Sequence, residues 1–377
     1  MTRFQNVIEW THLYAGLAAA PLLLLLGLTG SILSFEYPLD QVLNHKLNYV
    51  RPQGVRVSLD ELLRVAAASH PNARVTTLAL SPYSPAPDLA YTALVVGAKV
   101  PETTVYLDQY TGTILGQHTG RTFTSAVHNL HTNLMTGEDR WGSIPLAITA
   151  ALLILLSLTG LILWWPRKII SVNWQASSRR ITFDLHNALG FYSFLFMLLF
   201  GVTGVIIHYL PVMLPATNRA LHIDGSEPEF HVRPPNANTA RRSLEEIART
   251  ATASVPGARL TQIGLPKRDG VYRVWMKYPE DHTPLGRTNL LIDPYSGAVL
   301  WQRTSRNAAM PTRFYRQWNH ELHTGDFFGW PGKILLCLMS LVLPVLAVTG
   351  PLFWFRKRRR PSKVSQPNNA KSYDMVP

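Results

Sequence analysis

Four apolar runs constrain this chain more than anything else in it. Trp10–Phe35 carries no charge when His12 is neutral, Gly142–Trp165 and Ile334–Phe355 carry none, and Leu185–Leu214 carries only His186 and His208. Each is long enough to cross a bilayer as a helix, which takes roughly 20 apolar residues. The first run is too long for the core of a cleaved signal peptide, and Arg3 with Glu9 makes a weak basic leader. A multi-pass membrane protein is expected, with lipid as its first partner.

Orientation follows from Lys and Arg. Arg167, Lys168, Arg179 and Arg180 fall between the second and third runs, and seven basic residues from Arg356 to Lys371 follow the fourth. With Arg3 these are twelve cations against Glu9, Asp184 and Asp374, a net of nine of the thirteen charges the chain carries. Both termini are therefore expected in the cytoplasm of a bacterial inner membrane. The basic tail is a solvated stop-transfer cluster, and nucleic acid is not an expected partner. The predicted spans are residues 1–36, 142–166, 185–214 and 331–355, with a cytoplasmic loop at 167–184 and a basic tail at 356–377. Residues 37–141 and 215–330 are then two periplasmic modules. Cys337 is the only cysteine, so no internal disulfide, iron–sulfur cluster or covalently attached haem is available.

The chain is duplicated. His12 precedes Gly30 by 18 residues, and His186 precedes Gly204 by 18. A Thr-Gly step recurs in every span, at 29–30, 159–160, 203–204 and 349–350. Ser58-x-x-Glu61 and Ser243-x-x-Glu246 read as capping boxes, and Asp108-Gln-Tyr-Thr-Gly112 and Asp293-Pro-Tyr-Ser-Gly297 as matching turns, both pairs offset by 185. Helix, then short β-rich segments, is expected in each module, with Tyr83–Pro87 and Arg233–Pro235 as loops. The fold class is an α-helical membrane protein with α+β extramembrane modules, four transmembrane helices in two span–module–span repeats.

Histidines mark the repeats. His128-Asn-Leu-His131 and His320-Glu-Leu-His323 each stand just before a membrane-length run, and residues i and i+3 share a helix face. His12 and His186 lie near the cytoplasmic end of odd-numbered spans, each with a Gly four residues on, at Gly16 and Gly190. That Gly shares the face one turn away and leaves room for a flat macrocycle. Ionisable groups inside a membrane are costly and point to function. The two histidine levels are roughly 30 Å apart at 1.5 Å of rise per residue, so one iron cannot bridge them. The economical reading is two non-covalent b-type haems, an inner one on His12 and His186 and an outer one on His131 and His323. His128 and His320 are alternative outer ligands. His208 has no repeat partner and is a candidate ligand or substrate-side group. Arg313 and Arg316 are suited to haem propionates. A non-haem metal on the i,i+3 pairs, and histidines kept only for hydrogen bonds between helices, are the competing readings. Thr-Gly reads as close helix packing by small residues. Trp164, Trp165, Trp330 and Trp354 read as interfacial belts, and Trp275, Trp301 and Trp318 as core.

Taken with Gly160-Leu-Ile-Leu-Trp-Trp-Pro-Arg167, these motifs resemble the PepSY-associated transmembrane family from His12 to Arg358. The resemblance implies PepSY-like modules and a stand-alone inner-membrane reductase that delivers electrons to ferric siderophores in the periplasm. It also admits a non-catalytic sensor, a siderophore-binding accessory or a protease-regulating protein. Fe³⁺ prefers hard oxygen ligands and Fe²⁺ binds them less well, so reduction frees the metal. No Gly-rich nucleotide fingerprint or flavin motif is present, so electrons are expected from a quinol or a cytoplasmic or membrane partner protein. A periplasmic or transporter partner would take the released iron. No catalytic group is expected beyond the haem ligands and His208.

Overall fold

Long apolar helices bring together the two halves of the chain. The computed structural model describes residues 3–80, 87–98, 100–137, 140–224, 227–236 and 238–358. Residues 83–86 of the expected first loop, and the basic tail past Arg358, lie outside them. Helices α1 (Arg3–Leu33), α6 (Ser143–Trp164), α7 (Ser178–Ala220) and α11 (Gly329–Arg358) are each long and apolar enough to span a membrane. They form a bundle in which α1 and α7 each pack against both α6 and α11. Ala19, Leu23, Leu153, Met197, Leu343 and Ala347 close its centre. A side chain at Gly27 would collide with Pro344, so α1 and α11 approach closely there, and Ser340 Oγ donates to the Gly27 carbonyl at 3.0 Å.

One span differs from its predicted limits. Helix α7 begins seven residues before Leu185 and runs on past Pro211 and Pro215 to Ala220, which shortens the 167–184 loop. Proline is tolerated where neighbouring helices and side chains satisfy the freed carbonyls.

The first module contains α2 (Glu36–Leu43), α3 (His45–Asn48), α4 (Leu59–Ser69), strands β1 (Arg74–Ala79), β2 (Tyr91–Val96), β3 (Thr103–Leu107) and β4 (Ile114–Thr119), and then α5 (Phe123–Asn133). The second contains α8 (Leu244–Ser254), β5 (Arg259–Gly264), β6 (Tyr272–Lys277), β7 (Thr288–Ile292) and β8 (Val299–Arg303). There α9 (Met310–Thr312) continues through a π turn (Arg313–Trp318) into α10 (Asn319–Thr324). The Asp-to-Gly turns form as the motif requires. Asp108 and Asp293 accept the amides of Tyr110 and Tyr295 at 2.8 and 2.7 Å, and Gly112 and Gly297 take φ of +73° and +76°.

The modules are not separate units. Edge strands β1 and β5 pair antiparallel, so one eight-stranded sheet runs β4-β3-β2-β1-β5-β6-β7-β8. Helices α4 and α8 cover one face, with Leu62, Leu78, Ile247, Ile263, Met276 and Leu290 in a single core. Their N-termini also cap each other. Asp60 accepts the amides of Leu244 at 2.8 Å and Glu245 at 3.3 Å, and Glu245 accepts the Leu59 amide at 2.7 Å. Only Ser243 and Glu246 complete a capping box; Glu61 turns to Arg64 instead.

Asp60→Ala should therefore loosen the junction between modules rather than one helix. A lost cap costs about 1 kcal/mol. Hydrogen exchange at the Leu244 and Glu245 amides should accelerate, and unchanged exchange there would exclude the reciprocal cap.

Candidate functional site

Two pairs of imidazoles sit at opposite ends of the bundle. His12 on α1 and His186 on α7 have ring centroids 6.4 Å apart, with planes at 83°. His131 on α5 and His323 on α10 are also 6.4 Å apart, at 59°. A metal between two imidazole nitrogens at about 2.0 Å, each nitrogen about 1.15 Å from its ring centre, puts the centroids roughly 6.3 Å apart. Both pairs match that spacing.

Threonine fixes each ring. His12 Nδ1 lies 2.9 Å from Thr159 Oγ1 and His186 Nδ1 2.9 Å from Thr349 Oγ1. His131 Nδ1 lies 2.7 Å from Thr29 Oγ1 and His323 Nδ1 2.7 Å from Thr203 Oγ1. Each of these hydroxyls already donates its single proton to the carbonyl one turn back, at 2.6 to 2.8 Å. The threonine must then accept from Nδ1–H, which leaves the Nε2 lone pair of every ring free. The glycine after each threonine gives the ring room. A Cβ at Gly160 or Gly350 would lie 3.2 Å from Cε1 of His12 or His186, and one at Gly30 would lie 3.4 Å from Cε1 of His131. At Gly204 the His323 ring is 3.9 Å away.

Close helix packing holds at Gly30, where a Cβ would lie 2.8 Å from Ser340 Oγ, and at Gly204, 3.3 Å from Ala150, but sequence reasoning missed that the four Thr-Gly steps also seat the histidine rings. The signal was their repeat-matched recurrence with the histidines. Each of these four histidines is held by a threonine of its own repeat and faces a histidine of the other.

The end of the bundle away from the sheet encloses a cavity of 340 Å³ lined by His12, His186, Gly16, Gly190, Ser157 and Phe194, among others. A Cβ at Gly190 would meet nothing within 4 Å. Trp164 is not an interfacial anchor. It is buried against this cavity, stacked 4.0 Å from Phe191, with Nε1 donating to the Ile169 carbonyl at 2.8 Å. Trp165 and Trp330 are exposed as a belt requires.

At the sheet end, α5 begins on its Thr122 cap and stops at Leu134 in the left-handed region, while α10 stops at Gly325. Both stops place the second histidine of each motif in a last turn, packed on a span. Asn319 Nδ2 donates to the Thr203 carbonyl at 3.3 Å, tying α10 to α7. The first histidines stand outside the pair. His128 Nδ1 meets Glu36 at 3.1 Å, and this hydrogen bond raises its pKa. His320 Nδ1 is buried without a partner, and burial pushes its pKa down to about 4. His208 packs edge-on against Tyr209 at 4.7 Å, five residues past Thr203. Arg313 stacks over Trp318 at 5.3 Å, and Arg316 lines a second cavity against the sheet. Among the described residues no group of three or more His, Cys, Asp or Glu converges on one point. Two imidazoles per site suit a metal whose other positions a macrocycle fills.

A family model described as the PepSY-associated TM region matches residues 9–357. The chain belongs to this family. No curated protein matches it significantly. For this PepSY-associated TM protein, Thr159→Val keeps the side-chain volume but leaves His12 Nδ1–H unpaired. Losing a partner behind a metal-binding histidine typically costs 10–100-fold in affinity. If haem binds between His12 and His186, its titration into the variant should show that site weakened by that order, and unchanged affinity there would remove the threonine's role.

Proposed function

We propose that the chain is a di-haem b-type reductase, an oxidoreductase of the bacterial inner membrane that passes electrons to ferric siderophores in the periplasm and frees Fe²⁺ for uptake. The observation that carries this reading is the twofold pairing of histidines at 6.4 Å, with every Nδ1 tied to a threonine. The residues fit haem b. His12 and His186 would hold one group and His131 and His323 the other. Gly16 and Gly190 border the space at the first, and the single cysteine leaves no covalent attachment. Bound haem supplies a reversible one-electron couple at each level.

The rest is the work of the chain. The threonines hold the imidazoles in the tautomer that ligates iron. His12 and Thr29 are seventeen residues apart on α1, which sets the levels about 26 Å apart along the helix. Leu23, Leu153 and Leu343 keep water out between them. Arg313 and Arg316 precede His323; Arg313 is the candidate for a propionate, while Arg316 lines the cavity against the sheet. A quinol releases two electrons and two protons, so one quinol would serve two Fe³⁺; a partner protein delivering single electrons would serve one. The Lys and Arg bias supports a periplasmic sheet with both termini in the cytoplasm.

Purified protein supplied with haem should show reduced b-type bands. His12→Ala and His186→Ala should remove one haem, and His131→Ala and His323→Ala the other. The reduced wild type should be reoxidised anaerobically by at least one of a panel of ferric siderophores, with a ferrous chelator capturing iron in step. A colourless protein would select the non-catalytic sensor or accessory reading instead. Reduced haem that no ferric siderophore reoxidises would end the reductase assignment and leave the di-haem framework.

Reporter fusions after Arg360 and within Arg167–Arg180 should read cytoplasmic, and those near Pro85 and Pro235 periplasmic. A cytoplasmic signal at either proline would invert the topology.

A further inference from the structure

The face of the sheet opposite α4 and α8 is not the same in the two modules. In the second, the cross-strand rows Arg273–Leu291–Trp301 and Trp275–Asn289–Arg303 lie side by side on β6, β7 and β8. With Arg287 at the start of β7 and Arg316 on the π turn they line a cavity of 250 Å³. The equivalent rows of the first module are Thr92–Tyr106–Gly116 and Leu94–Thr104–His118. Glu102 stands where Arg287 does, immediately before the strand, and Thr124 stands four residues ahead of His128 as Arg316 stands ahead of His320. None of the four arginines has a lysine or arginine counterpart. Over Gly116 in the first module the corresponding space is filled. Leu47 of α3 lies so close that a Cβ at Gly116 would come within 2.6 Å of its Cδ2, where the second module has Trp301.

The charge in the cavity is unbalanced. Arg273 is paired with Glu227 and, at 2.8 Å, with Asp269. Glu227 is the one carboxylate that lines the cavity. Arg287, Arg303 and Arg316 have no ion-pair partner within 4.0 Å among the described residues. Arg287 Nε is buried without a hydrogen bond. Arg303 rests 5.0 Å over the Trp301 ring, which orients its guanidinium without neutralising it. Burial, and then the neighbouring Arg316, holds Arg303 below its ordinary pKa. Buried unpaired charge is unfavourable unless a counter-charge arrives, and a planar guanidinium fork matches a carboxylate with two parallel hydrogen bonds.

We propose that this cavity is an anion site that receives the carboxylates of a polyanionic ferric chelate, with Arg287, Arg303 and Arg316 as its binding groups and Trp275 and Trp301 as its walls. The substrate class rests on the reductase reading; the anion site does not. The cavity is at the small end for ligands, which commonly occupy about 300–1,000 Å³, so it takes a charged arm or a small hydroxycarboxylate complex rather than a bulky uncharged hydroxamate. Its position suits the task. Arg316 precedes His323 by seven residues on the same helical segment, about 10 Å of rise, and Arg287 and Glu321 act on one another electrostatically.

Haem propionates offer the same carboxylate chemistry, and the test separates the two sources. Gallium(III) citrate is a polyanion that accepts no electron from haem. Its binding to the full-length, haem-loaded protein in detergent should be measurable by calorimetry and should weaken as salt rises. Arg303→Gln and the exposed Arg316→Gln should each raise its Kd at least about tenfold, the scale of a lost hydrogen bond to a charged group. An uncharged gallium hydroxamate should not respond to either variant. The proposal falls if wild type does not bind gallium citrate, or if both variants bind it as wild type does. It also falls if the variants lose haem or shift its spectrum while citrate affinity is unchanged, because the arginines then serve propionates. Arginine-dependent citrate binding by a protein whose haem no ferric chelate reoxidises would keep the anion site and remove the reductase reading.

Discussion

A threonine hydroxyl has one proton, and the bundle is arranged around where that proton goes. In a helix interior it goes to the carbonyl one turn back, as at Thr29, Thr159, Thr203 and Thr349. The oxygen can then only accept, so the imidazole beside it must donate from Nδ1. Orientation and tautomer follow from that one fact, four times over. The small residue that comes next is part of the same device, because the ring passes over Gly30, Gly160 and Gly350 at 3.2 to 3.4 Å from where a Cβ would be. A larger residue there would push the ring off its threonine.

Each threonine holds a histidine of its own repeat, but each imidazole pair takes one histidine from each repeat. The 6.4 Å spacing therefore depends on how the two repeats are clamped. The spans supply one clamp through α1 against α11 and α6 against α7. The sheet supplies the other through β1 and β5 and through the exchanged caps of Asp60 and Glu245. Mutual capping of two helices stabilises the junction only when both are in register, so it aligns the repeats as well as joining them.

Much of this was legible in the sequence, because it rests on local patterns. Apolar length gives the spans, Ser-x-x-Glu the start of α4 and α8, Asp-to-Gly the hairpin turns, and the recurring His-x-x-x-Gly and His-x-x-His motifs match His12 to His186 and His131 to His323. What was not legible is non-local. Nothing in Arg74–Ala79 or Arg259–Gly264 announces that the two edges will pair with each other. Thr-Gly in an apolar helix has the look of a packing motif until a ring from another helix is seen against it. Trp275 and Trp301 alternate with core residues along their strands, and their face is left as a cavity where, among the described residues, no α3-like helix covers it.

That last difference separates the two halves of a duplicated frame. A repeat that is copied faithfully would leave the same surface twice, either filled or open. Here Leu47 fills the first over Gly116, and His118, in line with Arg303, has a buried Nε2 with no partner. The second is open, and four arginines stand where the first has Thr92, Glu102, His118 and Thr124. Packing alone gives no reason to gather guanidinium groups there, since burying unpaired charge destabilises a fold. An anion in the cavity would offset that cost at Arg287 and Arg303, which are half-buried without an ion pair among the described residues, whereas Arg273 is already paired and Arg316 is exposed. The helix that carries Arg316 into that cavity also carries His323 to its partner, so whatever binds above is mechanically tied to the imidazole pair below. The duplicated parts of the chain thus position the paired imidazoles, and the part that departs from the duplication opens the arginine-lined cavity at one end of the bundle.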